Sequence, residues 1–143
     1  MIAWTEKFET GDPLIDQQHQ TLINHINFLG SFVETQSQDP SDYHLLAGVL
    51  DYLESYAIAH FQHEEQCMEK HRCPAHAQNK EAHQLFIHFF QQFKQRYHHE
   101  GYRVEILREL HHSMTLWIQS HILRVDIQLK PCLQPEFSAE AND

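Results

Sequence analysis

Four segments of the chain repeat a core-type residue at alternating intervals of three and four positions. These stripes run from Ile15 to Val33, from Leu46 to Cys67, from His76 to Tyr97 and from Val104 to Val125. Such spacing aligns the residues on one face of an α-helix, which forms the seam between packed helices. No segment shows the two-residue alternation of a strand. The pattern therefore predicts an all-α fold, an antiparallel up-down-up-down four-helix bundle with an N-terminal arm.

Helix-breaking residues mark the ends of these segments. Asp12 can cap the first helix, and Pro13 suits the first turn of that helix. The polar stretch 37–42 predicts a loop between the first two helices. The 143 residues fit one domain, which we assign to residues 1–133, and residues 134–143 form a polar tail.

The charge of the chain restricts its partners. Twenty acidic residues against ten basic ones give a net charge of −10, and so acidic a surface repels phosphate backbones. We therefore expect no nucleic acid partner. The N-terminus lacks the basic start and apolar run of a signal peptide, and no apolar stretch is long enough to cross a membrane. We expect a cytoplasmic protein without a membrane association.

The cysteines show no disulfide framework. There are three of them, Cys67, Cys73 and Cys132, which is an odd number without a recognisable spacing. We therefore expect reduced thiols. A redox pair of Cys67 and Cys73 is the weaker alternative, because these two lie close together near a predicted turn.

Histidine is the outlier of the composition, with 14 residues, and several of them interrupt the apolar seams. The polar side chains at seam positions are His19, His60, Glu64, His83 and His121. In an up-down bundle all of them fall at the same end, roughly 8–15 Å from it at about 1.5 Å per residue. His60 and Glu64 are four residues apart and share one helix face. This convergence predicts one polar site inside the bundle.

Buried carboxylates identify that site as a metal site. Burying an ionised carboxylate is costly unless it is paired or binds a metal. Asp126 follows His121 by five residues, so we expect the fourth helix to be distorted or to end there. Two metal ions bridged by carboxylates, with imidazoles around them, satisfy all these groups, and mixed nitrogen and oxygen ligands suit iron. A single seam histidine is more often a hydrogen-bonded core residue, but four on one layer with two carboxylates favour metal.

Specific residues connect this pattern to a known family. They are Trp4, Gly11, the run from Ile15 to His19, Leu22, Ile26, Asn27, His60, Phe61, Glu64, Glu65, Met68, Pro74, His83, Phe86, Trp117, His121, Ile122 and Asp126. In identity and spacing they resemble the hemerythrin family, in particular its single-domain bacterial form. The resemblance covers about residues 4–129, nearly the whole chain.

The resemblance implies a non-heme centre of two iron ions, Fe2+ or Fe3+, with an oxo or hydroxo bridge. By position, Glu64 and Asp126 would bridge the two irons. His19 and His60 would hold the iron where oxygen binds. His83 and His121 would hold the other iron, together with a third histidine.

The third histidine of the family pattern is replaced in this chain by Asn79. An amide oxygen is a much poorer iron ligand than an imidazole. Three arrangements are open: Asn79 coordinates weakly, Asn79 holds a water on the iron, or His76, one turn earlier, reaches the site. We favour the water, because one helical turn displaces His76 by roughly 5.4 Å.

The resemblance also implies a function, the reversible binding of dioxygen or a similar small diatomic ligand for storage, delivery or sensing. Phe86 and Trp117 are candidates to line the ligand pocket. No general base or nucleophile constellation indicates an enzyme. An alternative is a di-iron redox enzyme or sensor of peroxide or nitric oxide, which would use an iron position left open by Asn79. A second alternative is a bundle scaffold with adventitious metal.

Overall fold

The computed structural model describes residues 1–35 and 40–133, and it confirms the four-helix bundle. Its long helices are α1 (Pro13–Thr35), α2 (Pro40–Lys70), α3 (His76–His99) and α4 (Val104–Arg124), and a short helix α5 (Leu129–Cys132) follows. Helices α1 and α3 each pack against both α2 and α4. The predicted polar tail, residues 134–143, lies outside the described residues.

The seams form the core as the spacing predicts. At the end of the bundle away from the polar site, the buried apolar residues include Leu29, Val33, Leu46, Phe90 and Leu107. Within the described ranges, no helix combines the length and the apolar character needed to span a membrane.

Caps and turns explain where α1 and α2 begin. Asp12 Oδ1 accepts hydrogen bonds from the backbone N–H groups of Leu14 and Ile15, each over 3.0 Å, and this satisfies two donors at the start of α1. Residues 37–39 of the predicted loop at 37–42 lie outside the described residues, and the prediction is wrong for residues 40–42, because α2 already begins at Pro40. Proline suits the first turn of a helix, since its missing N–H has no partner there.

The predicted N-terminal arm packs on the bundle. It contains a 3₁₀ turn at Glu6–Phe8, and Phe8 is buried. The side-chain amide of Asn27 in α1 makes two hydrogen bonds with Ile2 in the arm. Its Oδ1 accepts from the N–H of Ile2 over 2.9 Å, and its Nδ2 donates to the carbonyl of Ile2 over 2.8 Å. The arm is therefore an ordered part of the domain.

The chain after α4 turns back beneath the polar site. Helix α4 ends at Arg124, as the position of Asp126 suggested, and a 3₁₀ turn at Asp126–Gln128 leads into α5. Leu129 of α5 packs with Ile15 and Met68 in a small apolar cluster. Asp126 is thereby held at this end of the bundle, with buried Val125 immediately before it and buried Leu129 three residues after it.

A disulfide bond joins this last segment to the turn between α2 and α3. Cys73 and Cys132 are bonded, with Cα atoms 5.7 Å apart, while Cys67 is a free thiol. The expectation of reduced thiols is therefore wrong for Cys73 and Cys132, and the alternative pairing of Cys67 with Cys73 is also wrong. The reason is tertiary: α5 folds back against the α2–α3 turn and brings together two residues 59 positions apart.

Candidate metal centre

The structure brings the predicted polar residues together in one buried layer. His19 comes from α1, His60 and Glu64 from α2, His83 from α3, His121 from α4 and Asp126 from the turn after α4. All six side chains are buried. Because α1 and α3 begin at the end of the bundle where α2 and α4 finish, seam positions near those termini meet at one depth.

Glu64 is the centre of this layer and divides it in two. Its Oε2 lies 3.0 Å from His19 Nε2 and 3.2 Å from His60 Nε2, whereas its Oε1 lies 3.2 Å from His83 Nε2. We call the side of His19 and His60 the first half-site. The side of His83 and His121 is the second half-site.

The two carboxylate oxygens of Asp126 are likewise directed to different half-sites. Its Oδ2 lies 3.1 Å from His19 Nε2 in the first half-site, and its Oδ1 lies 3.0 Å from His121 Nε2 in the second. Each carboxylate thus presents one oxygen to each half-site. This is the arrangement that two adjacent cations sharing two carboxylates require.

Asn79 lies inside the second half-site and is fully buried. Its Oδ1 accepts a hydrogen bond from His121 Nε2 over 2.7 Å, and its Nδ2 donates to Glu64 Oε1 over 2.6 Å and to Met68 Sδ over 3.3 Å. His76 is half-buried and does not belong to either group of converging ligand atoms found among the described residues. The geometry therefore favours Asn79 over His76 as the seventh side chain of the centre.

Two supporting residues were not predicted from the sequence. Glu65 Oε2 lies 2.9 Å from His83 Nδ1, and Gln18 Oε1 lies 2.7 Å from His60 Nδ1. These contacts fix each ring so that its Nε2 faces the centre. Both residues directly neighbour a seam residue, and that adjacency is the one feature of the sequence that could have suggested them.

The charges of the layer depend on one another. Burial lowers the pKa of His19, but hydrogen bonds to Asp126 and Glu64 outweigh this effect and raise that pKa from 6.5 to about 10. Burial raises the pKa of Glu64, but the hydrogen bond from His19, together with the imidazoles of His60 and His83 beside it, holds that pKa well below its ordinary 4.5. Without metal, His19 is therefore a positively charged imidazolium that lies between two carboxylates. A bound cation would take over that positive charge.

The pKa shifts of His60 and His83 depend on the same two opposing effects, burial and the neighbouring carboxylates. Burial lowers the pKa of His60, because it disfavours the charged imidazolium. Burial also lowers the pKa of His83, but the hydrogen bond to Glu64 and the charge of that carboxylate outweigh it, so the net shift is upward. The carboxylate of Glu64 thus raises the pKa of both rings, but for His60 burial outweighs it.

Aromatic rings pack against the second half-site. Phe61 stacks on His83 with ring centroids 3.9 Å apart and planes 9° apart, and Trp117 stacks on His121 at 4.4 Å and 11°. Phe86 contacts Trp117 at 4.3 Å. These stacks restrict the rotation of both imidazoles.

The same aromatic rings border a cavity further along the bundle. Its lining is entirely apolar, and about 10 Å³ of it is open to the centre of a water-sized sphere. That space corresponds to about one small molecule. Phe86 and Trp117, expected as ligand-pocket residues, both line it. The other lining residues are Leu22, Ile26, Leu53, Ala57, Phe61, Met114 and Ile118.

Comparison with known proteins identifies the family. The profile of the hemerythrin HHE cation binding domain matches residues 10–133. The chain belongs to the hemerythrin family. It is 28% identical over 122 residues to the bacteriohemerythrin of Stenotrophomonas maltophilia, which is 85% of this chain and 74% of that one. It is 25% identical over 134 residues to the bacteriohemerythrin of Methylococcus capsulatus, covering 93% of this chain and 97% of that one.

The fold agrees with this assignment. A crystal structure of wild-type hemerythrin matches with a TM-score of 0.76 at 26% identity, covering 93% of this chain and 98% of that chain. The hemerythrin family binds non-heme iron. The fit of this chain to such a metal depends on the positions of its own side chains.

Hydrogen counting shows that the residues fit a cation. His121 Nε2 lies close to His83 Nε2 (3.1 Å), Asn79 Oδ1 (2.7 Å) and Asp126 Oδ1 (3.0 Å). One imidazole nitrogen carries at most one hydrogen, so it can donate to only one of these two oxygens, and it also faces the ring nitrogen of His83. Asp126 Oδ1 is buried without a hydrogen-bond partner among the described residues. A cation in this half-site would satisfy these atoms, and a set of imidazole, carboxylate and amide donors suits iron.

Proposed function

We propose that this chain is a di-iron protein that binds dioxygen, or another small diatomic ligand, inside the bundle. The proposal rests on the way in which the two buried carboxylates are shared between the half-sites. Glu64 and Asp126 each present one oxygen to the first half-site and the other to the second. Membership of the hemerythrin family supports iron as the metal.

In this proposal the histidines hold the ions and the acids bridge them. His19 and His60 would hold one iron, and His83 and His121 the other. Glu64 and Asp126 would join them, and an oxo or hydroxo group would complete the bridge. When bound, an iron pair would supply the position at which dioxygen binds and the electrons that reduce it. The protein contributes fixed imidazoles and an interior closed to bulk water.

The cavity supports a small uncharged ligand. Leu22, Ala57 and Ile118 line it, and each is three residues from a histidine of the centre, so the cavity begins about one helical turn from the imidazoles. Its lining presents no polar atom that could bind an organic substrate. An apolar space of this size admits a diatomic gas more readily than a charged molecule.

The visible spectrum of the iron-loaded protein tests the proposal. Tag-free ferrous protein would be prepared without oxygen and then exposed to air. Reversible binding predicts a ligand-to-metal charge-transfer band that persists and disappears when oxygen is removed. Immediate and irreversible conversion to the diferric form, with no band lost on deoxygenation, would contradict reversible binding.

A second candidate function, turnover or sensing of peroxide or nitric oxide, is favoured by Asn79. This amide stands in the second half-site, where the family pattern has an imidazole, and a weak ligand can leave an iron position open to an exogenous molecule. Repeated additions of peroxide distinguish the two functions. Steady consumption over many additions supports an enzyme, whereas a single stoichiometric reaction supports a binding protein.

A further inference from the structure

The two half-sites differ in what stands behind their imidazoles. Both offer two histidines, and both share the carboxylates of Glu64 and Asp126. Their direct ligand atoms therefore differ only by the amide of Asn79. The residues that support the imidazoles provide a second difference.

Behind the second half-site stands a carboxylate. Glu65 Oε2 accepts from His83 Nδ1 over 2.9 Å, while His83 Nε2 faces Glu64 Oε1 at 3.2 Å on the other side of the ring. A carboxylate acceptor makes the hydrogen bond charge-assisted and increases electron density at Nε2. Phe61, stacked on the same ring at 3.9 Å, prevents it from turning away.

The first half-site has weaker support. Gln18 Oε1 accepts from His60 Nδ1 over 2.7 Å, but an amide carries no charge. His19 Nδ1 is buried and has no hydrogen-bond partner among the described residues. Neither imidazole of this half-site therefore has a carboxylate behind it within the part of the chain that the structure describes.

From this difference we infer that Glu65 is a positioning residue that makes the second half-site the tighter one, so that the first metal ion to bind enters between His83 and His121. The inference rests on the proposed metal centre. It adds the order in which the two positions fill and the residue that sets this order. Carboxylates behind metal-binding histidines typically change metal affinity roughly 10- to 100-fold.

The test is a titration of metal-free, full-length protein with Zn2+ alone, followed by NMR of histidine ring nitrogens. Zn2+ is diamagnetic and binds imidazole, so each Nε2 reports separately whether it is ligated. In the wild type, one equivalent is expected to shift the signals of His83 and His121, and the second equivalent those of His19 and His60.

Exchanging the side chains at positions 65 and 18 tests whether the charge of the residue behind the imidazole, and not its size, sets the order of binding. Glu65→Gln keeps an acceptor of the same size but removes the charge, and it is expected to distribute the first equivalent over both half-sites. The double exchange Glu65→Gln with Gln18→Glu is expected to reverse the order. Glu69→Gln, on an exposed residue of the same helix, is the matched control and should leave the order unchanged.

Two outcomes would overturn the inference. One is that His19 and His60 shift first in the wild type. The other is that Glu65→Gln keeps the wild-type order. If two equivalents of Zn2+ shift none of the four histidines, the proposed metal centre itself fails, and this result is distinguishable from a changed order.

Discussion

Asn79 joins two groups of the centre: its Oδ1 accepts from His121 Nε2 over 2.7 Å, and its Nδ2 donates to Glu64 Oε1 over 2.6 Å. The amide therefore spans the second half-site from a helix α4 imidazole to the central carboxylate. A metal ion held there would meet the neutral oxygen of this amide.

Replacing Asn79 by histidine should strengthen the second half-site. We expect Asn79→His to retain iron longer against a chelator and to autoxidise more slowly than the wild type, because imidazole is the better iron ligand and closes an open position. Autoxidation would be followed by the loss of the oxygenated spectrum in air. Equal rates in the two proteins would show that Asn79 does not control access to the iron.

His76 provides the matched control for that experiment. It lies one turn before Asn79 and outside the converging ligand atoms of the described residues. His76→Ala should therefore leave iron content and autoxidation unchanged. A loss of iron in this variant would instead show that His76 reaches the metal.

The metal-free protein should lose stability as pH rises from 6.5 to 10. The pKa of His19 is raised from 6.5 to about 10 in the folded state, because the hydrogen bonds to Asp126 and Glu64 exceed the effect of burial. The stabilisation by its proton is complete below pH 6.5 and is lost as pH approaches 10. The upward pKa shift of His83 acts in the same direction.

Thermal unfolding of the metal-free protein at several pH values measures this effect. The melting temperature is expected to fall across that interval, and His19→Gln should reduce the slope. Iron-loaded protein should show a smaller dependence, because the metal displaces the proton. A melting temperature that rises across the interval would contradict the arrangement of charges described here.

The disulfide bond should contribute substantially to stability. Loop closure between residues 59 positions apart predicts that Cys73→Ser lowers the free energy of unfolding by about 4 kcal/mol. Urea unfolding measures the change, with Cys67→Ser as a control of the same chemistry at the free thiol. Alkylation of three thiols per chain in non-reduced, unfolded protein would show that the bond is absent.

Filling the apolar cavity should weaken ligand binding without removing metal. Ala57 is buried at the cavity wall, and Ala57→Val adds two methyl groups there, at a cost of about 1–3 kcal/mol for overpacking. We expect lower dioxygen affinity at unchanged iron content. Ala59→Val, at an exposed position of the same helix, controls for the effect of valine on the helix. Equal affinities in the two variants would place the ligand elsewhere.

The convergence of these polar side chains at one depth could be predicted from the sequence because periodicity and topology together determine depth along a bundle. Each helical residue advances the chain by about 1.5 Å, so the seam residues His19, His60, His83 and His121 can be placed relative to one end. Glu64 follows from its spacing to His60 on the same face. Burial of all these side chains agrees with that reasoning.

The supports behind the imidazoles could not be predicted in the same way. Gln18 and Glu65 lie one residue from a seam position, and such polar residues usually face solvent on a bundle helix. Whether they reach a neighbouring helix depends on the distance and rotation between helices, which periodicity does not specify. The folded structure places Glu65 behind His83 and Gln18 behind His60.

The disulfide was missed for a related reason. Cys132 belongs to a short helix whose direction depends on how the chain folds back after Asp126. An odd number of cysteines without regular spacing leaves any pairing undetermined. The turn of the chain at Asp126 was foreseen, but not the contact of α5 with Cys73.

Iron content is the most direct test of the centre. Tag-free protein from iron-replete cells should contain about two iron ions per chain, as expected where two carboxylates bridge a pair of cations. Glu64→Ala, which removes the oxygens shared by both half-sites, should lower this content to near zero while the bundle still folds. Two results would contradict the account. One is a wild-type protein with well below one iron ion per chain, which mild chelation removes. The other is a Glu64→Ala protein that retains both ions.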